Sequence, residues 1–264
     1  MSAYFFIYLI LGACAGLFAG LFGIGGGIIL VPFLAWIFST QGISAELVML
    51  MAISTSLATI ILTSISSVSA HHRIGTIRWT IVRMLAPPIF AGSILGTIIA
   101  DKLQTGYLEI VFACFLIVVS IQMGLNIKPK KQTFEFSKKI ASISGLFIGT
   151  IASLLGIGGG TLTVPFLMKC KIPIKNAVAI SSACGLPIAI AGTLGYASLG
   201  WDIPGRPPWS LGYIHGPAFI GIVASSVLCA PIGAKLVNTL PTVQLKKGFA
   251  IFVLFVGIKL LVDF

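Results

Sequence analysis

A glycine cluster occurs twice in this chain in nearly the same words, GIGGGIILVPFL over residues 23–34 and GIGGGTLTVPFL over residues 156–167, with nine of the twelve paired positions identical at an offset of 133 residues. Each copy interrupts a long apolar stretch. A helix crossing lipid has no reason to break, because no water is present there to satisfy free N–H and C=O groups. A break written twice therefore points to a duplicated membrane unit whose interruptions are buried in protein or line a wet cavity, as in transporters built from repeats.

Composition agrees. Hydrophobic residues make up 57% of the chain, charged residues 9%, and the mean hydropathy is +1.09, whereas a soluble domain carries about a quarter charged residues. The net charge of +11 sits in short clusters between apolar runs. These read as topology signals and not as a nucleic-acid surface. No lysine or arginine precedes Arg73, so no cleaved signal peptide is expected. The five cysteines, Cys14, Cys114, Cys170, Cys184 and Cys229, lack metal-ligand or redox spacing; they are read as packing residues, and neither a metal nor a cofactor is expected.

Apolar runs fall near residues 4–22, 28–38, 46–70, 80–100, 105–125, 139–155, 161–168, 177–198, 211–230 and 243–262. Most reach the roughly 20 residues that cross a bilayer core, but the second and seventh do not. The duplication extends beyond the glycines. Gly12, Gly16 and Gly20 are answered by Gly145, Gly149 and Ser153, a small-residue stripe suited to close helix approach. AISTS at 52–56 is matched to AISSA at 179–183, placing Ala183 opposite Ser56, and Gly75, Trp79 and Pro87 to Gly205, Trp209 and Pro217.

Charge orders the crossings. Arg73, Arg78 and Arg83, and in the middle of the chain Lys128, Lys130, Lys131, Lys138 and Lys139, are expected on the cytoplasmic side. Lys169, Lys171 and Lys175 follow the second short run and belong on that side too, which requires the chain to turn back at Gly156. The fold class is therefore an all-α polytopic membrane protein with two inverted-topology repeats, each a glycine-broken helical hairpin plus three transmembrane helices. The first repeat covers residues 1–127, a basic cytoplasmic linker 128–138 and the second repeat 139–264, with both termini outside. A parallel-repeat arrangement is the alternative.

The expected site is built from the two breaks. Gly23, Gly25, Gly26 and Gly27, with Gly156, Gly158, Gly159 and Gly160, offer permissive dihedrals and no side-chain wall. Pro32 and Pro165 suit the first turn of the short helices. A helix starting inside the membrane turns its unpaired N–H groups and positive dipole end toward an anion. Ser54, Thr55 and Ser56, Ser181 and Ser182, about one turn into the next helices, with Thr161 and Thr163, would add neutral donors. The plainer readings are helix packing for the glycines and bonds to their own backbone for the serines.

His71 and His72 fall in a basic loop and are expected to be solvated; His215 falls about a turn inside an apolar run, where it would either titrate or bond a carbonyl, the second being the plainer reading. Glu46, Asp101, Glu109, Glu135, Asp202 and Asp263 all lie away from the middle of a span, which argues against a carboxylate proton relay. Neither glycine cluster carries the Lys-Ser or Lys-Thr ending of a phosphate loop. Enzyme chemistry is not expected.

The paired GIGGG…VPFL segments, each followed by an Ala-Ile-Ser-Ser/Thr stretch, resemble the TauE/SafE family of sulfite and organosulfonate exporters across essentially the whole chain. That resemblance implies export of a small sulfur-containing anion such as sulfite or sulfoacetate across a prokaryotic cytoplasmic membrane. The partners are then the anion and the lipid bilayer, not nucleic acid, with homo-oligomerisation open. A passive anion channel and a membrane scaffold or sensor subunit are the competing functions.

Overall fold

Each apolar run becomes a helix, and each glycine cluster ends one helix and starts another. A computed structural model describes residues 2–23, 25–124, 136–236 and 242–262. The order is α1 (Ser2–Phe22), α2 (Gly27–Thr40), α3 (Ala45–Ile74), α4 (Trp79–Lys102), α5 (Thr105–Gly124), α6 (Lys138–Leu154), α7 (Gly160–Lys169), α8 (Ile174–Leu199), a hairpin of β1 (Ser210–Leu211) and β2 (Ile214–His215), α9 (Gly216–Leu236) and α10 (Thr242–Val262). Among the described residues six helices, α1, α3, α4, α5, α8 and α9, are long and apolar enough to cross a membrane. With its 14 residues, α2 covers about 21 Å, and α7 with 10 about 15 Å, both short of the ~30 Å core. The protein is an all-α polytopic membrane protein.

Helices α3 and α8 run antiparallel through the centre. Most of each is buried, 83% and 72% of their apolar windows, against 39% or less for α1, α4, α5 and α9. Their contact line passes from Leu57 beside Gly192, through Ser64 beside Gly185, to Ser67 beside Ser182. The small-residue stripes lie outside this pair. Gly12, Gly16 and Gly20 of α1 face the backbone of Ile222, Ser226 and Ala230 on α9, while Gly145 and Gly149 of α6 face Pro88 and Ile89 on α4. A Cβ at any of these glycines would overlap the facing residue, so they let helices approach closely, as small-xxx-small patterns do in membranes.

The α4–α6 and α9–α1 pairs make like contacts. Gly96 of α4 packs on Thr150 of α6 as Gly233 of α9 packs on Leu17 of α1, which equates α4 with α9 at an offset of 137 residues. The expected match of Gly75, Trp79 and Pro87 with Gly205, Trp209 and Pro217 is therefore out of register. The cause is an insertion: a short turn over 75–78 leads into α4, whereas α9 is preceded by the longer 200–215 segment with its hairpin.

Two ends can be told apart by their contacts. At one, the Asn176 side-chain amide donates to the Thr76 carbonyl at 2.8 Å, joining the loop of Arg73 and Arg78 to the loop of Lys169, Lys171 and Lys175, and Phe136 ahead of α6 packs on Phe166 near the end of α7. At the other, Gln41 after α2 donates to the Tyr8 hydroxyl of α1 at 2.9 Å, and the Thr105 hydroxyl to the Glu46 carbonyl. The chain thus doubles back at both glycine clusters. Of the 128–138 linker, Lys128, Lys130 and Lys131 lie outside the described residues.

Candidate functional site

The two glycine breaks cross each other at backbone contact in the middle of the protein. An atom in the Cβ position of Gly25 would lie 2.8 Å from the Gly158 Cα, and one on Gly27 would overlap the Gly156 carbonyl and the Ile157 Cα. Gly23, Gly25, Gly26 and Gly156 have φ of +67°, +72°, +78° and +67°, the left-handed region that glycine enters without cost. Gly158, Gly159 and Gly160 do not, and Gly159 sits at an ordinary helical φ of −60°. In the second copy Gly156 alone takes the left-handed dihedral.

The central helices lock the breaks in place reciprocally. The Ser56 hydroxyl of α3 donates to the Gly156 carbonyl at 2.8 Å, and the Ser181 hydroxyl of α8 reaches the Gly23 carbonyl at 3.3 Å. The central helix that follows each break holds the first glycine of the other break. Ser181, not Ala183, is thus the counterpart of Ser56, at an offset of 125. The structural offset shortens because α7 is shorter than α2. These serines also stand about two turns or more inside helices that begin at Ala45 and Ile174, deeper than the single turn expected.

Around the crossing, a narrow crevice is lined by Ala19, Gly23, Gly25, Gly158, Gly159 and Gly185 together with the hydroxyl residues Thr63, Ser64, Ser67 and Ser182. It lies on the side of the breaks toward the C-terminus of α3 and the N-terminus of α8, where the basic loops are. No charged side chain lines it. Gly26 caps α2, which begins at Gly27, and α7 begins at Gly160; their first N–H groups precede the helical ladder and bring about half a positive charge each to the crossing. Thr161 and Thr163 on α7 carry buried hydroxyls without a partner. Thr163 Oγ1 lies 3.1 Å from where a Gly159 Cβ would be. Pro32 and Pro165 stand in the second turn of α2 and α7, not the first, so each frees the carbonyl four residues earlier, at Ile28 and Thr161.

Toward the opposite end the path is filled. Leu57 packs on Gly192, the Ser54 hydroxyl donates to the Tyr213 carbonyl at 2.7 Å, and Thr55 accepts from the His215 N–H at 2.9 Å. The hairpin is thereby plugged between α3 and α8, and the Tyr213 hydroxyl ties it to Asp101 at 2.8 Å. His215 lies in β2 ahead of α9, not a turn inside the helix. Its Nδ1 accepts from the Ala218 N–H and caps that helix end, between the rings of Phe38 and Tyr8.

Of the residues singled out in the sequence, Gly23, Gly25, Gly158, Gly159 and Ser182 line the crevice, and Ser54, Thr55, Ser56 and Ser181 hold neighbouring backbone. Thr63, Ser64, Ser67 and Gly185 were missed. For the three hydroxyl residues the signal was a polar stripe recurring every three or four residues along α3; Gly185, on α8, had none. Among the described residues no group of three His, Cys, Asp or Glu could hold a metal ion.

Residues 8–260 match the family described as sulfite exporter TauE/SafE. The chain belongs to the TauE/SafE family. Curated relatives include a "probable membrane transporter protein" of Haemophilus influenzae, 39% identical over 98% of this chain and 99% of that one, and another of Methanocaldococcus jannaschii, 29% identical over 86% and 81%. A third, YunE of Bacillus subtilis, is 25% identical over 84% of this chain and 88% of its own. No solved structure matches the chain. With this membership and its membrane-length helices, the TauE/SafE chain is a membrane transporter.

Proposed function

We propose that this transporter exports a small sulfur oxyanion or sulfonate by alternating access, the anion binding at the crossing of the two glycine breaks. The observation that carries this reading is the crossing itself: two helix N-termini and glycine backbone meet beside a crevice whose polar groups are all neutral. Uncharged donors hold an anion without trapping it, the balance that conduction requires. The name of the family supplies the sulfur chemistry. The glycines expose N–H groups, and the Thr161 and Thr163 hydroxyls, spare within the protein, complete the shell.

Inverted repeats fit the same reading. Residues 1–127 and 139–264 form the two units, and exchanging them maps the α1–α9 contact onto α6–α4 and the Ser56–Gly156 bond onto Ser181–Gly23. The crevice breaks that symmetry. It lies on the basic side, while Leu57 and the hairpin fill the related space, as in a transporter resting in one of two states. By the positive-inside rule the open side faces the cytoplasm of a prokaryotic cell.

Counterflow in proteoliposomes tests this. Vesicles preloaded with unlabelled sulfite or sulfoacetate should transiently accumulate the labelled anion, with saturation. Electrical conductance without saturation or counterflow would identify a channel. Neither signal, with a stably co-purifying partner, would identify a scaffold.

A further inference from the structure

His71, expected to be solvated, is buried on α3 at 4% exposure, and its Nε2 has no hydrogen-bond partner. It lies one turn beyond Ser67 and two beyond Ser64, on the stripe of α3 that lines the crevice. From the other side its ring meets the backbone of Gly20, the neighbour of the crevice residue Ala19. The residue is thus bracketed by the crevice along two helices.

The repeat register sharpens what it does there. At the offset of 125 that equates Ser56 with Ser181, the counterpart of His71 is Tyr196. Its hydroxyl donates to the Ser153 carbonyl at 3.2 Å, and Ser153 is the counterpart of Gly20. In the second repeat this position is a satisfied structural bond between central and outer helix. In the first repeat the ring of His71 also bonds the backbone of Gly20, the counterpart of Ser153, but keeps its Nε2 to spare.

Among the described residues, the helices around this end contribute no other ionisable group to the crevice. Charged residues are absent from α1; Lys175 of α8 and Lys235 of α9 are exposed, as are Arg73 and His72 of α3 and Arg78 in the following turn. His72 pairs with Trp79 instead, through a bond from the indole N–H to Nδ1 at 3.3 Å.

We propose that His71 receives the anion at the basic end as an imidazolium, so that one proton and one anion are taken up together. This rests on the anion-binding reading of the crevice. Imidazole plus a proton gives imidazolium, whose Nε2–H donates to an anion oxygen next to Ser64 and Ser67; deprotonation releases both. Binding is then linked to pH.

The test uses full-length protein in detergent and thiosulfate, an anion whose own charge does not change over about pH 5–8. Affinity is read from thermal stabilisation at several pH values. In the wild type it should fall by up to about tenfold per pH unit above the imidazole pKa, in H71Q it should be independent of pH, and H72Q should behave as the wild type. Wild-type binding that does not change with pH, or H71Q with the wild-type dependence, overturns the proposal and leaves the crevice as the anion site. Absence of wild-type binding to thiosulfate, sulfite or sulfoacetate at every pH overturns the anion-site reading and this proposal with it. The wild-type arm decides even where H71Q fails to fold.

Discussion

Gly159→Leu is expected to reduce anion flux by about 100-fold or to background while the protein still folds and extracts as a single species. Gly159 has φ −60° and ψ −15°, which any residue adopts without strain. A side chain there first meets Ile188 Cδ1 at 3.0 Å and Thr163 Oγ1 at 3.1 Å, the movable ends of side chains. The backbone therefore tolerates leucine, but the side chain takes the volume of the crevice that Gly159 lines. Hydrogen bonds to a charged group are worth about 1.5–3 kcal/mol each, so losing two of them suffices for the effect. Counterflow in proteoliposomes, normalised to reconstituted protein, measures it, and wild-type flux in the variant would remove Gly159 from the site.

Gly25→Ala should act on stability and not on transport alone. Its φ of +72° costs an L-residue about 1–2 kcal/mol, and its Cβ would sit 2.8 Å from the Gly158 Cα, a backbone atom that cannot swing away. Overpacking of this kind adds about 1–3 kcal/mol, for a total of about 2–5 kcal/mol. Gly42 supplies the control. It has φ +76° with nothing within 4 Å of its Cβ position, so Gly42→Ala carries the dihedral cost alone. Unfolding of the detergent-purified variants should show Gly25→Ala several kcal/mol below the wild type and Gly42→Ala within about 2 kcal/mol. Equal losses would mean that the breaks do not press on one another.

Much of this arrangement was legible in the sequence because lipid leaves so few options. Long apolar runs become helices, the Gly23 and Gly156 clusters mark the breaks, and the lysines after α7 bring that loop beside Arg73. What could not be read was register. The match of 52–56 to 179–183 followed sequence identity, whereas the structure pairs Ser56 with Ser181 because a shorter α7 delivers the chain to α8 sooner. Similarly Trp209 resembled Trp79 in its neighbours, yet an inserted hairpin separates it from α9. The site was legible in its glycines and only partly in its hydroxyls. Ser54, Thr55 and Ser56 carry the repeated motif but support neighbouring backbone; Thr63, Ser64 and Ser67, two turns further on, meet the crevice. His71 was misjudged because its neighbours His72 and Arg73 are exposed, and only the turn of α3 separates the three faces.

The most direct test of an anion site at the crossing is thermal stabilisation of the purified protein by sulfite, thiosulfate, sulfoacetate and taurine, with sulfate, chloride and acetate as controls. A ligand at about 100 times its dissociation constant stabilises by about 2.7 kcal/mol when it binds only the folded state. Saturable stabilisation by a sulfur anion and not by chloride or acetate, abolished in Gly159→Leu, is the predicted result. Equal stabilisation of the wild type and Gly159→Leu, or none by any anion, would contradict it.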